Sequence, residues 1–165
     1  SGWGYAAIPG RRFSFRGSTL DLLSAARVRS HPRLSRLGPD ICTPEFDAEL
    51  ALARIRAEDP ARGLGDALLD QRSVAGIGNL WKVEACWLAE IDPWRPLTRI
   101  GDEEILAVLA EARRCMLDST ANGATGDSCG CTERPGGRAR AAASECAFVA
   151  RAMPRPTWWC PGCQR

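Results

Sequence analysis

Apolar residues recur at helical spacing in four stretches of the chain. The first runs from Thr43, where Phe46, Leu50, Ala53 and Ala57 form one stripe that Leu52 and Ile55 widen. Thr43-Pro44-Glu45 predicts its start, with a threonine cap, proline at the first helical position and an acid in the first turn. Asp59-Pro60 and Gly63 predict its end. A second stretch sets Leu64, Ala67, Leu68 and Gln71 on one face, and a third does the same with Leu80, Val83 and Trp87. The fourth is predicted from Asp102 to about Leu117, with Asp102, Glu103 and Glu104 at its start and Arg113 and Arg114 near its end. Ile105, Leu109, Ala112 and Met116 give it a buried face, so four helices around one core are expected.

The flanks follow other patterns. Residues 1–36 hold Phe13 and Phe15 in short alternating runs between turn residues at Pro9-Gly10 and Gly17-Ser18, which predicts strands and turns. Two or three strands do not bury a sheet face alone. From Ser119 to Glu145 the chain is Ala-, Gly-, Arg- and Ser-rich without usable periodicity, as in a linker. The last block reads as a hairpin: Pro154-Arg155-Pro156 turns, Thr157-Trp158-Trp159 extends, and Cys160-Pro161-Gly162-Cys163 makes a knuckle. The expected domains are thus 1–36, 37–118, a linker over 119–145 and a terminal hairpin over 146–165.

Between the second and third helices lies Val74-Ala75-Gly76-Ile77-Gly78-Asn79. Glycines flanking one apolar residue let the backbone turn tightly and leave amides uncovered, and Asn79 stands where a helix N-cap belongs. Gly76, Ile77, Gly78 and Asn79 therefore make a candidate seat for an anion such as a nucleic-acid phosphate. The plainer alternative is a glycine turn between two core helices.

Read together, Leu68-Leu69-Asp70-Gln71-Arg72-Ser73 and the hairpin, continuing to Leu80-Trp81-Lys82-Val83-Glu84-Ala85, resemble the helix-two-turns-helix signature of the formamidopyrimidine-DNA glycosylase and endonuclease VIII family. Leu37-Gly38-Pro39-Asp40 upstream, and Asp92-Pro93-Trp94 and Trp159 to Gln164 downstream, extend the likeness in the family's order. The resemblance implies a mainly α fold: a four-helix helix-two-turns-helix domain, preceded by the last strands of an N-terminal β-sandwich and followed by a zinc-ribbon-like β-hairpin. It also implies excision of oxidised bases and cleavage at abasic sites, with a proline amine as nucleophile and a glutamate as general acid. The chain opens Ser1-Gly2-Trp3, so no catalytic residue is assigned within it and the 165 residues alone are expected to be inactive.

Composition adds less. The net charge is +2, and of the 22 basic residues Lys82 is the only lysine. Arginine suits bidentate phosphate contacts, but an Ala-, Arg- and Gly-rich chain equally reflects genomic base composition. No apolar run is long enough to span a membrane and no signal sequence opens the chain, which leads to the expectation of a soluble cytoplasmic protein; the resemblance extends this expectation to a monomeric, nucleoid-associated bacterial one. In that compartment the 8 cysteines are read as metal ligands or buried thiols.

Cys160-x2-Cys163 is half of a zinc ribbon. By the family's spacing the other pair falls on Arg140 and Ala143, which are not ligands. Cys146 lies near the second of these positions, and Cys131, or alternatively Cys129, would complete one zinc site across a long loop whose closure costs little. A metal-free terminus is the alternative, and residues 126–145 have the look of a reading-frame slip. Arg155 stands where the family places a hairpin-tip arginine on the phosphates beside the damaged nucleotide; without the resemblance it reads as a solvated arginine. Asp70 and Gln71 are expected to satisfy backbone groups at the hairpin, Lys82 to snorkel or lie at the surface, Glu84 to be solvated, and Cys42, Cys86 and Cys115 to be buried. The tryptophans are read as packing residues.

The sequence thus predicts the damaged-DNA-binding part of a base-excision repair glycosylase and lyase, with zinc and duplex DNA as cofactor and partner. The alternative is a non-catalytic helix-hairpin-helix nucleic-acid-binding module.

Overall fold

The computed structural model describes residues 12–15, 18–21, 34–122 and 157–165. Residues 119–122, expected to open the linker, belong instead to the last of the described helices; linker residues 123–145, the hairpin turn with Arg155, and cysteines 129, 131 and 146 lie outside the described residues. Two compact units divide the chain at residues 36 and 37.

In the first unit, β1 (Arg12–Phe15) pairs antiparallel with β2 (Ser18–Asp21), from Arg12 opposite Asp21 to Phe15 opposite Ser18. Ser18, expected in the turn, opens the second strand. One short 3-10 turn, Leu34–Arg36, follows.

The second unit holds four helices: α1 (Ala48–Arg56), α2 (Leu64–Leu69), α3 (Asn79–Leu88) and α4 (Asp102–Asn122). Helix α1 starts later than Thr43-Pro44-Glu45 predicts. The Thr43 amide and hydroxyl both donate to the Asp40 carbonyl, at 3.2 and 2.9 Å, and so close a separate turn. The cap is Asp47, whose carboxylate accepts from Leu50 N at 2.9 Å. At the other end Arg56 donates to the carbonyls of Leu97 and Ile100 at 2.7 and 2.6 Å and to Asp102 at 2.7 Å, tying α1 to the start of α4.

Helix α2 has only 6 residues and no side-chain cap. Such a short helix depends on its surroundings. Leu64 N and Gly65 N donate to the carbonyls of Arg95 and Pro93 at 3.1 and 2.7 Å, and Gly63 bridges to Pro96. Helix α4 runs a full turn past the predicted end at Leu117. Its apolar stripe stops at Met116, but no breaker intervenes before Gly123, and Thr120 Oγ1 donates back to the Leu117 carbonyl. Ile41, Ile55, Leu64, Leu68, Val74, Ile77, Ile105 and Leu109 fill the core between the four helices.

The terminal knuckle docks on the loop after α3. Gln164 donates from Nε2 to the Ile91 carbonyl at 3.0 Å and accepts on Oε1 from Cys160 N at 2.9 Å. Arg165 N donates to the Glu90 carbonyl, and the Arg165 carbonyl accepts from Asp92 N and from Arg95.

Candidate nucleic-acid interface

The glycine hairpin is strapped from behind. Ile41 N donates to the Ala75 carbonyl at 3.0 Å and Ala75 N to the Pro39 carbonyl at 2.9 Å, a short parallel bridge. Gly38 permits this approach, because a Cβ there would lie 2.6 Å from the Ser73 carbonyl group. Gln71 braces the turn from within, accepting from Gly76 N at 2.9 Å and donating to the Ile77 carbonyl at 3.0 Å, as the sequence predicts. Asp70 accepts from the backbone amide of Arg72, and in addition from the guanidinium groups of Arg72 and Arg62. The Arg72 bonds above all hold its carboxyl well below the usual range, while Arg72 is raised by the same pair.

At the tip, Gly76 has φ +102, a conformation open to glycine, and Ile77 is a buried peg at 1 % exposure. A Cβ on Gly78 would meet nothing within 4 Å. Among the described residues neither Ile77 N nor Gly78 N has an acceptor, and α3 begins without a side-chain cap. Donors and the positive end of the α3 dipole therefore collect on the open side of the turn.

Asn79 is not the cap. Gly78 takes that place, in extended backbone, and Asn79 is the first helical residue. Its Oδ1 accepts from Lys82 Nζ at 2.9 Å rather than from its own helix's amides. Lys82, expected at the surface, is buried at 3 % exposure and also donates to Thr157 Oγ1 at 2.6 Å; Glu84, expected to be solvated, is fully buried. The terminal segment meets α3 at Lys82, through Thr157. The sequence pattern missed Thr157 and the burial of both residues. A usable signal was present, since one lysine survives in a chain that otherwise uses arginine.

The other expected thiols follow burial. Cys86 is enclosed, and burial pushes its thiol up to about 12. Cys42 is half-buried, and burial followed by the neighbouring Asp40 raises it against the opposing Arg113. Cys115 is buried. All three are poor nucleophiles in such settings. Cys160 and Cys163 stand on one turn, with Cys163 N donating to the Cys160 carbonyl at 3.2 Å. Two sulfurs so placed fit half of a tetrahedral zinc site. No group of three or more His, Cys, Asp or Glu suited to a metal occurs among the described residues, and none of their helices is long and apolar enough to cross a membrane.

The family described as "Formamidopyrimidine-DNA glycosylase H2TH domain" matches residues 37–129. "Probable endonuclease 8 2" of Streptomyces coelicolor is 36% identical over 158 residues, covering 90% of this chain and 57% of the relative. A formamidopyrimidine-DNA glycosylase of Moorella thermoacetica is 40% identical over 122 residues, 73% of this chain and 44% of that protein. The chain thus spans about half the length of the curated relatives it matches. In fold it resembles the Lactococcus lactis formamidopyrimidine-DNA glycosylase crystallised non-covalently with DNA containing an abasic site, with a TM-score of 0.74 at 24% identity over 88% of this chain and 56% of that one. A second Lactococcus lactis structure, a complex with abasic-site DNA, gives a TM-score of 0.74 at 22% identity. The chain belongs to the formamidopyrimidine-DNA glycosylase and endonuclease VIII family.

Proposed function

We propose that residues 37–165 grip damaged duplex DNA for a base-excision repair glycosylase and abasic-site lyase. The observation that carries this reading is the open side of the Gly76-Ile77-Gly78 turn, where amides without an acceptor among the described residues meet the N-terminus of a 10-residue helix. A phosphate bound there would accept those hydrogen bonds and face the positive end of the dipole. Asn79 adds a neutral donor beside it. Arg155, by family resemblance, closes on the same strand from the terminal hairpin, and a backbone held from two sides can be kinked so that a damaged nucleotide rotates out.

In this reading residues 37–165 supply the grip on DNA, and the cleavage chemistry is assigned to none of them. Zinc would be held by Cys160, Cys163, Cys146 and either Cys131 or Cys129, and would supply a cross-link that fixes the knuckle.

The test is binding of the 165-residue chain to a duplex containing a tetrahydrofuran abasic-site analogue, at fixed salt. Asn79→Ala is expected to weaken affinity by about 1 to 3 kcal/mol, the worth of one hydrogen bond to a charged acceptor. Arg155→Ala is expected to flatten the slope of log affinity against log salt by about one unit. An unchanged dissociation constant for Asn79→Ala would overturn the reading.

A further inference from the structure

Lys82 stands in the first turn of α3 with 3 % of its surface exposed. Two physical terms oppose it there. An ammonium taken from water loses its hydration, and a cation at a helix N-terminus faces the positive end of the dipole. Glu84, fully buried two residues further on, is the nearest carboxylate in sequence. The packing nevertheless makes room for the lysine: a Cβ on Gly65 would come within 3.3 Å of Lys82 Cδ. Lys82 lines a narrow cleft with Gly65, Asp66, Pro93, Trp94 and Thr157.

Its bonds suggest what it does. The two ends of an asparagine amide are nearly equal in size and opposite in hydrogen-bonding sense, so a neighbour must decide which way it points. An ammonium has donors only. At 2.9 Å from Asn79 it selects Oδ1 and directs the two Nδ2 hydrogens away from itself. A second donation, at 2.6 Å to Thr157 Oγ1, anchors the ammonium to the terminal segment.

We infer that Lys82 is a positioning residue for the anion seat: clamped between Asn79 Oδ1 and Thr157 Oγ1, its ammonium fixes the donor end of the Asn79 amide for a phosphate and joins the terminal segment to the helix that carries the seat. This inference rests on the phosphate-binding role proposed for Asn79.

The experiment is a double-mutant cycle on the 165-residue chain, read as affinity for the tetrahydrofuran duplex. Lys82→Met keeps the apolar stem and removes the ammonium; it is expected to weaken binding about tenfold, and in the Asn79→Ala background to weaken it no further. Thr157→Val, which leaves the lysine in place, is expected to weaken binding less, with Thr157→Ser restoring it. The Asn79 side-chain amide resonances should move in both Lys82→Met and Thr157→Val, a signature that loss of stability alone does not produce. If Asn79→Ala weakens binding while Lys82→Met and Thr157→Val leave both affinity and those resonances unchanged, or if the effects simply add, the positioning role is wrong and the binding site stands. If Asn79→Ala itself has no effect, the underlying reading fails instead.

Discussion

Trp94 and Trp159 meet edge to face, with ring centroids 5.5 Å apart and planes at 89°. The contact holds the residue before Cys160 against the loop that also receives Gln164 and Arg165. Such an aromatic pair contributes about 0.5 to 1.5 kcal/mol beyond its buried area. Trp159 is thus a reporter for the neighbouring knuckle.

Stripping zinc with a strong chelator is expected to loosen Cys160–Cys163 and let Trp159 leave Trp94. Tryptophan emission should shift to the red while the far-ultraviolet helical signal stays, because α1 to α4 have their own core. Elemental analysis of the purified chain should find one zinc. A chain without zinc, or a chelated chain with unchanged emission, would remove the cysteine set from consideration.

The glycines of the hairpin region should separate by mechanism. At Gly76, φ +102 makes any side chain strained, and Gly76→Ala is expected to cost about 1 to 3 kcal/mol. Gly38→Ala should cost at least as much, because its Cβ would meet backbone atoms of Ser73 at 2.6 Å, and backbone gives way less readily than a side-chain end. Gly78→Ala has open space and an ordinary φ of −98, so stability should change by under about 0.5 kcal/mol. Urea unfolding of the three variants checks the order; equal losses at Gly76 and Gly78 would mean the turn is drawn wrongly.

How far the sequence could be read depended on whether a residue's neighbours were local. The four helices and the Gln71 brace lie within a few residues of their partners, and periodicity or spacing was enough to find them. Thr43 has good cap chemistry, but Asp40 reaches it first, and a competing turn leaves no periodic trace. Lys82, Asn79 and Thr157 meet across 75 residues of sequence, and no local pattern encodes an ammonium turned inward. The end of α4 was missed for another reason: burial ends at Met116 while the backbone continues, so the apolar stripe marks the core and not the helix.

Acid should act through Asp70. Its carboxyl is held low by the Arg72 bonds first, then by the Arg72 amide and Arg62. A group with a folded pKa below its unfolded value of about 3.9 stabilises the fold above that value and loses the contribution as pH falls through and below it. Unfolding free energy should therefore decline as pH drops from about 4. In Asp70→Asn that decline should be shallower, and the variant should already be less stable at neutral pH because the negative charge and one of the two acceptor oxygens that Arg62 and Arg72 share are gone. An identical acid slope in the two proteins would exclude Asp70 as a source.

Glu90 closes α3 in a conformation that its side chain opposes. It has φ +58, and two bonds finish the helix around it: Glu90 N to the Trp87 carbonyl at 3.1 Å and Ile91 N to the Cys86 carbonyl at 2.9 Å. This is the left-handed C-terminal position that usually falls to glycine. A residue with a Cβ there costs about 1 kcal/mol, partly recovered because glycine makes the unfolded chain more flexible. The Glu90 side chain is exposed, whereas its carbonyl, which receives Arg165 N, is untouched by substitution. Glu90→Gly is therefore expected to stabilise the chain by about 0.5 kcal/mol, a rise in Tm of roughly 1 to 2 °C for a domain of this size. Glu90→Ala, which keeps the Cβ, should bring no such gain. Calorimetry on both variants decides it: a lower Tm for Glu90→Gly than for the parent would mean that the carboxylate, and not the backbone, governs this helix end.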